Sequence, residues 1–136
     1  MARQFSVYGI MAVGMTFVIV AGEIDLSVGS VLALAGCLAA KLVTEQAWPL
    51  PLAAAAAVAT AAGVGAANGW LTVALGIPSF IITLGMMSVI RGLTYVLTQA
   101  MPIAGLPDAF RDLGYGTVAG VPLPVVVMGV VALAGG

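Results

Sequence analysis

The sequence predicts an all-α integral membrane protein with about five transmembrane helices, because each crossing needs roughly 20 apolar residues. Of the 136 residues, 62% are hydrophobic and 7% are charged, whereas about 25% are charged in a typical soluble domain. This composition excludes a water-soluble globular domain and a disordered chain. Four basic residues against five acidic ones also exclude a strongly basic nucleic-acid-binding protein. The expected surroundings are the lipid bilayer.

Apolar stretches separated by polar or proline-containing connections predict the helices in chain order. They cover residues 5–22, 26–44, 52–75, 80–97 and 117–136. Residues 98–116 form the one sizeable polar segment, and Pro102 and Pro107 are helix breakers within it. In the last stretch, Pro122 and Pro124 favour a helix that starts near them.

A helix break is expected between Gly22 and Ser27. A continuous helix over the first two apolar stretches would have about 40 residues and a length of about 60 Å. The hydrocarbon core of a bilayer is only about 30 Å thick. The two carboxylates of this region, Glu23 and Asp25, both lie in the segment where the helix must end.

The third stretch is rich in alanine and glycine. Ala59, Gly63 and Ala67 are four residues apart, and small residues at this spacing allow helix backbones to approach closely in a bilayer. The pattern predicts a central helix that packs against several neighbours. The alternative is a generic alanine-rich span.

No catalytic apparatus is visible in the sequence. It contains no G-x-x-x-x-G-K-[ST] phosphate loop, no nucleophile elbow and no HExxH motif. Histidine is absent, so the serines lack the commonest general base. The single cysteine, Cys37, lies in an apolar run and is interpreted as a small packing residue. We therefore expect a protein that is not an enzyme, with no catalytic residue, metal ligand or cofactor.

Four polar residues within apolar sequence are candidates for a substrate path or for the helix break: Asp25, Ser27, Asn68 and Arg91. Asp25 would line a hydrophilic path. Alternatively, Asp25 or Ser27 would accept hydrogen bonds from the free N–H groups at the start of the second helix. The two roles are compatible, because helix N-termini within the bilayer are common at transporter sites.

The other two candidates also have more than one interpretation. Asn68 would either contribute to the path or form a hydrogen bond to a neighbouring helix. Arg91 lies about 10 Å before the end of its helix, where an unpaired guanidinium in lipid is costly. It must reach the interface, face the protein interior or pair with a carboxylate.

Several blocks of the sequence resemble the permease subunits of ribose-type ABC sugar importers. They are residues 12–19 running into 22–30, residues 80–85 followed by Arg91 and Gly92, and residues 102–107. The most specific block is Ile-Asp-Leu-Ser-Val-Gly-Ser at positions 24–30. Glu23 occupies a place where many members of the family have glycine, so no role is assigned to it.

The resemblance implies a multi-pass permease subunit in the bacterial inner membrane, transporting ribose or a related monosaccharide. Such a subunit works with a second permease copy, a cytoplasmic ATP-binding subunit and a periplasmic or lipid-anchored sugar-binding protein. Residues 1–136 would form a single transmembrane permease domain, incomplete at both ends relative to the family. The family orientation places residues 76–79 in the cytoplasm and residues 98–116 outside. The alternatives are an ion-coupled secondary transporter and a non-catalytic membrane assembly subunit.

Overall fold

The computed structural model describes residues 2–118, 121–122, 124–125 and 127. This part of the chain is predominantly helical. The helices are α1 (Ala2–Val20), α2 (Val28–Thr44), α3 (Leu50–Leu75), α4 (Ser79–Thr98) and the short α5 (Asp108–Tyr115). Two short strands, β1 (Thr117–Val118) and β2 (Val121–Pro122), pair in antiparallel orientation.

The helix break lies where the length argument places it. Helix α1 ends at Val20 and α2 begins at Val28. Gly22 has a φ of +78°, a left-handed conformation that glycine adopts without steric cost. The residues from Ala21 to Ser27 are not helical, so the chain leaves the helical path before the two carboxylates and resumes it after them.

Helices α3 and α4 begin and end at residues of suitable local chemistry. Pro51 lies in the first turn of α3, where the missing N–H of proline has no intrahelical partner to lose. Gly76 terminates α3 with a φ of +63°, as is common just past a helix C-terminus. Pro78 is extended and precedes the first residue of α4.

The end of the chain differs from the all-helical expectation. The polar segment 98–116 contains the helix α5, which was not predicted, and β1 and β2 lie where the fifth apolar stretch begins. Extended backbone suits the β-branched residues Thr117, Val118 and Val121. Most of the predicted fifth helix lies outside the described residues.

Among the described residues, α3 and α4 are long and apolar enough to cross a membrane. The part of α1 from Val7 to Val20 and the whole of α2, Val28–Thr44, are apolar but shorter. The chain divides into two compact units. Helices α2, α3 and α4 belong to one unit, residues 23–106, while α1 and α5 belong to the other.

In the first of these units, α2 packs against both α3 and α4, and α3 also contacts α4. The buried apolar residues are Leu34, Ala39, Ala40 and Leu42 of α2, Ala53 and Ala57 of α3, and Ile90 of α4. Large apolar side chains such as Val58, Trp70 and Val73 are exposed. Exposed apolar side chains on long helices are compatible with a lipid environment, which is as apolar as they are.

The sequence predicted a central α3, but α2 is the helix that packs most extensively against both others, and two of the small residues expected to make contacts on α3 do not make them. Ala59 and Gly63 are exposed, and a Cβ atom added at Gly63 would meet nothing within 4 Å. Within the described residues, α3 instead packs through the face that carries Ala53, Ala57 and Asn68. The four-residue spacing of Ala59 and Gly63 therefore does not mark the face through which α3 packs in this unit.

Candidate functional site: a polar cluster at the helix break

Hydrogen bonds attach the break segment, residues 23–27, to both α3 and α4. We call the side chains that make them the helix-break cluster: Asp25, Ser27, Asn68, Ser79 and Thr83. A backbone that leaves the helical conformation inside a membrane protein needs such partners, because lipid offers none to its N–H and C=O groups.

Asp25 and Ser27 form the first part of the cluster. One carboxylate oxygen of Asp25, Oδ1, accepts hydrogen bonds from the backbone N–H of Ser27 and from its hydroxyl, both at 2.7 Å. Ser27 is fully buried, and Asp25 is partly buried. The carboxylate therefore satisfies two donors of a residue that has no access to solvent.

The capping bonds predicted for the first N–H groups of α2 are not formed by either side chain. Ser27 is the N-cap residue, but its backbone is in the right-handed helical region and its side chain makes no capping bond. Asp25 accepts the N–H of the N-cap residue itself, one position before the helix begins. A carboxylate near a helix N-terminus also interacts favourably with the helix dipole.

Asn68 links the same serine to α3. Its amide Nδ2 donates to the Ser27 hydroxyl oxygen at 3.0 Å, so the donors run in one direction from Asn68 through Ser27 to Asp25. Asn68 is only 6% exposed. Its carbonyl oxygen Oδ1 is buried and has no hydrogen-bond partner among the described residues. The predicted hydrogen bond between helices is therefore present, and the amide retains one unused acceptor.

Thr83 and Ser79 attach the break segment to α4. The hydroxyl of Thr83 accepts the N–H of Leu26 at 3.1 Å and lies 3.2 Å from the carbonyl oxygen of Ile24, to which it can donate. The Ser79 hydroxyl accepts the N–H of Ile24 at 3.0 Å. Sequence reasoning did not single out either residue for this role. Their four-residue spacing, which places both on one helix face, was the available signal.

Arg91 does not join the cluster. Its side chain is exposed and lines a cavity between α2 and α4. It forms no hydrogen bond or ion pair with any other described residue. The structure thus brings together Asp25, Ser27 and Asn68 and leaves Arg91 at a separate place on the same unit.

At the ends of α2 and α4 that are farthest from the helix break, a lysine links the two helices. The Lys41 ammonium donates to the carbonyl oxygen of Leu97 at 2.7 Å and lies 3.4 Å from a carboxylate oxygen of Glu45. Carbonyl groups in the last turn of a helix lack intrahelical partners, and a basic side chain satisfies them well. Helices α2 and α4 therefore run in the same direction, with polar contacts at both ends.

Within the part of the chain that the structure describes, no three His, Cys, Asp or Glu side chains form a group able to hold a metal ion. Cys37 is a free thiol of intermediate exposure. The hydroxyl, amide and carboxylate groups of the helix-break cluster bond to the break segment and to one another.

Comparison with known proteins identifies the class to which this arrangement belongs. The family described as branched-chain amino acid transport system / permease component matches residues 1–111. The chain belongs to this family of membrane permeases.

Individual relatives are transport proteins for sugars. The ribose import permease protein RbsC of Escherichia coli K12 is 46% identical over 136 residues, covering 97% of this chain and 42% of the relative. RbsC of Bacillus subtilis is 42% identical over 128 residues, covering 93% of this chain and 39% of its own length. The xylose transport system permease protein XylH of Escherichia coli K12 is 40% identical over 112 residues, covering 82% of this chain and 28% of its own length.

The chain therefore spans less than half the length of the curated relatives it matches. No solved structure shows significant similarity to it.

Proposed function

We propose that this chain forms part of the membrane-spanning permease subunit of an ATP-driven ABC importer for a monosaccharide. The observation that carries the proposal is the 46% identity to a ribose import permease over 97% of the chain. Ribose and xylose are the sugars named by the relatives, so a pentose is the first substrate to test. The subunit would form part of the translocation path, and a separate subunit would hydrolyse ATP.

The proposed assembly contains two permease copies, a cytoplasmic ATP-binding subunit and a periplasmic or lipid-anchored sugar-binding protein, in the bacterial inner membrane. We propose about five membrane segments for this chain, at roughly 20 residues per crossing. In the proposed orientation the α3–α4 connection faces the cytoplasm, and the segment between α4 and β1 faces outward. The lengths of α3 and α4, 26 and 20 residues, support two of these crossings.

The helix-break cluster would hold the break segment at the cytoplasmic end of the transport path, because Ser79, at the start of α4, accepts the N–H of Ile24 in that segment. Asp25, Ser27 and Asn68 are the proposed residues at this break, and their hydrogen bonds are consistent with a structural part of that role. Arg91 is the proposed path residue outside the cluster.

A second substrate class is favoured by one observation. The family description names branched-chain amino acids, although the relatives described above are named for sugars. An ion-coupled carrier is the third possibility, in which Asp25 would exchange protons or bind a cation.

Reconstitution of the full-length parent with its ATPase and binding protein in liposomes would test the three alternatives together. Labelled D-ribose, D-xylose and L-leucine are supplied with ATP or with a non-hydrolysable analogue. We expect uptake of a pentose that requires ATP hydrolysis and is unaffected by ionophores. Uptake of leucine alone would contradict the sugar assignment, and pentose uptake driven by an ion gradient without ATP would contradict the ABC mechanism.

A further inference from the structure

A cavity of about 220 Å³ lies between α2 and α4, and no residue of the helix-break cluster lines it. We call it the Arg91 notch. Its lining consists of Gly29, Ser30 and Ala33 from α2 and Arg91, Thr94 and Tyr95 from α4. Along α4, Arg91 is about 18 Å from the first residue and about 10 Å from the last, at 1.5 Å per residue. The notch therefore lies within the depth of the hydrocarbon core if α4 crosses the membrane.

The charge of Arg91 indicates that the notch faces water. Its guanidinium makes no hydrogen bond or ion pair within residues 2–118. A charged side chain inside a membrane protein is costly when it faces lipid, and it almost always faces the bundle interior or a water-filled space. Arg91 shares the notch with the polar side chain of Ser30 and with Tyr95. This face of α4 therefore suits an aqueous path better than a lipid contact.

Ser30 adds a second unused polar group. The residue is 8% exposed, yet its hydroxyl makes no hydrogen bond to any other residue of the described chain. Other helical hydroxyls of the unit are used locally: those of Thr44, Thr60 and Thr94 each donate to the carbonyl four residues earlier. The Ser30 hydroxyl is thus available to a group inside the notch, and Gly29 and Ala33 leave room beside it.

We propose that the Arg91 notch is a subsite for a neutral, hydroxyl-bearing ligand on the translocation path. The planar guanidinium donates to two adjacent hydroxyl groups, while Ser30 and Tyr95 each offer one donor and acceptor. The lining contains no carboxylate, so it disfavours a cation, and the choice of a neutral ligand over an anion follows from the proposed sugar substrate. A shallow site with few polar groups also suits passage, because a transported molecule must leave as readily as it enters.

The subsite rests on the proposed function. Thiol labelling distinguishes a failure of the subsite from a failure of the proposed function. Cys37→Ser and any further cysteine replacements give a cysteine-free full-length parent, into which Ala33→Cys is introduced. Ala33 lines the notch, whereas Leu32 is exposed beside it and serves as the control through Leu32→Cys. The reagent is a charged, membrane-impermeant methanethiosulfonate. We expect position 33 to react about tenfold faster than position 32, because the reagent needs water.

D-ribose supplied during ATP-driven turnover is expected to slow labelling at position 33 and not at position 32. Equal reactivity at the two positions, or reactivity at position 33 that ribose does not change, would overturn the subsite. A parent protein that transports no sugar would instead contradict the proposed function, whatever the labelling pattern.

Substitution of the arginine supplies an independent readout. Arg91→Gln is expected to lower the maximal rate of ribose uptake about tenfold, the usual scale for losing a hydrogen bond to a charged group. The amount of protein in the membrane and its ATPase activity should stay near those of the parent. Arg91→Lys should remain several-fold impaired because it lacks the planar pair of donors. Full uptake in Arg91→Lys would overturn the proposed pair of guanidinium donors, since it would show that a positive charge at this position is sufficient.

Two serine variants, one of them a matched control, test the role of the Ser30 hydroxyl. Ser30→Ala removes the free hydroxyl of the notch, whereas Ser88→Ala removes an exposed one that donates to the carbonyl of Leu84. Uptake should fall in the first variant and stay unchanged in the second. Equal uptake in both would contradict a role for Ser30 in the subsite.

Discussion

Replacing Asp25 by leucine tests the helix-break cluster most directly. The change removes the acceptor of two hydrogen bonds, from the Ser27 N–H and from the Ser27 hydroxyl. The hydroxyl can rotate towards another acceptor, but the N–H is fixed by the backbone of a fully buried residue. A buried donor without a partner costs about 1–3 kcal/mol. This cost corresponds to a fall of about 5- to 150-fold in the ratio of folded to unfolded protein.

The assay compares the amount of full-length protein in the membrane, and its thermal unfolding in detergent, across three variants. Asp25→Leu should accumulate poorly and unfold at a lower temperature. Asp25→Asn keeps an acceptor oxygen and should lose much less. Glu23→Gly is the control, because Glu23 is exposed, and it should behave as the parent does. If Asp25→Leu accumulates and transports sugar like the parent, the structural role of Asp25 and its place on the path are both wrong.

Three further outcomes are expected. Thr83→Val should destabilise the full-length protein by about 1–3 kcal/mol, because it removes the partner of a break-segment N–H. Thr94→Val, which removes a hydroxyl bonded within its own helix, should cost less, and equal unfolding temperatures of the two variants would contradict the reasoning. Asn68→Leu should lower the unfolding temperature less than Asp25→Leu, because it removes a neutral hydrogen bond together with an unsatisfied oxygen. Single cysteines at Ile77 and Asp108 should react with impermeant reagents from opposite sides of the membrane, and labelling from one side would refute the proposed orientation.

The helix break could be predicted from the sequence because it follows from a length. Two apolar stretches with a pair of carboxylates between them are too long for one crossing, and the backbone turns at Gly22 as that argument requires. The identity of the polar residues was equally visible. A carboxylate, a serine and an asparagine stand out in apolar sequence, and these three residues meet in the structure.

The geometry of the cluster could not be predicted in the same way. Asn68 and Ser27 are separated by 41 positions, so their contact depends on how α3 is positioned along α2. Thr83 was missed because a threonine in an apolar helix normally bonds the carbonyl of its own preceding turn, as Thr60 and Thr72 do here. The role of Thr83 becomes visible only when the break segment lies beside it.

The small-residue pattern of α3 shows what residue spacing alone cannot predict. Spacing indicates which surface of a helix allows close approach, but it does not indicate which partner approaches it. Gly63 lies on such a surface, and a Cβ atom added there would meet no neighbouring element within 4 Å in the described chain. The short helix α5 escaped prediction because its eight residues lie between prolines and glycines that favour a loop interpretation.

The polar contacts at both ends of α2 and α4 have a mechanical consequence. Thr83 of α4 accepts the N–H of Leu26, just before α2. Lys41 of α2 donates to the carbonyl of Leu97, which lies about 21 Å further along α4 at 1.5 Å per residue. Two hydrogen-bonded contacts at this separation fix the register of α2 against α4. Helix α3 adds one side-chain hydrogen bond, from Asn68 to Ser27, and is otherwise held by its packing against both helices. A shift of α4 along α2 would therefore have to break the polar contacts at both ends of the pair.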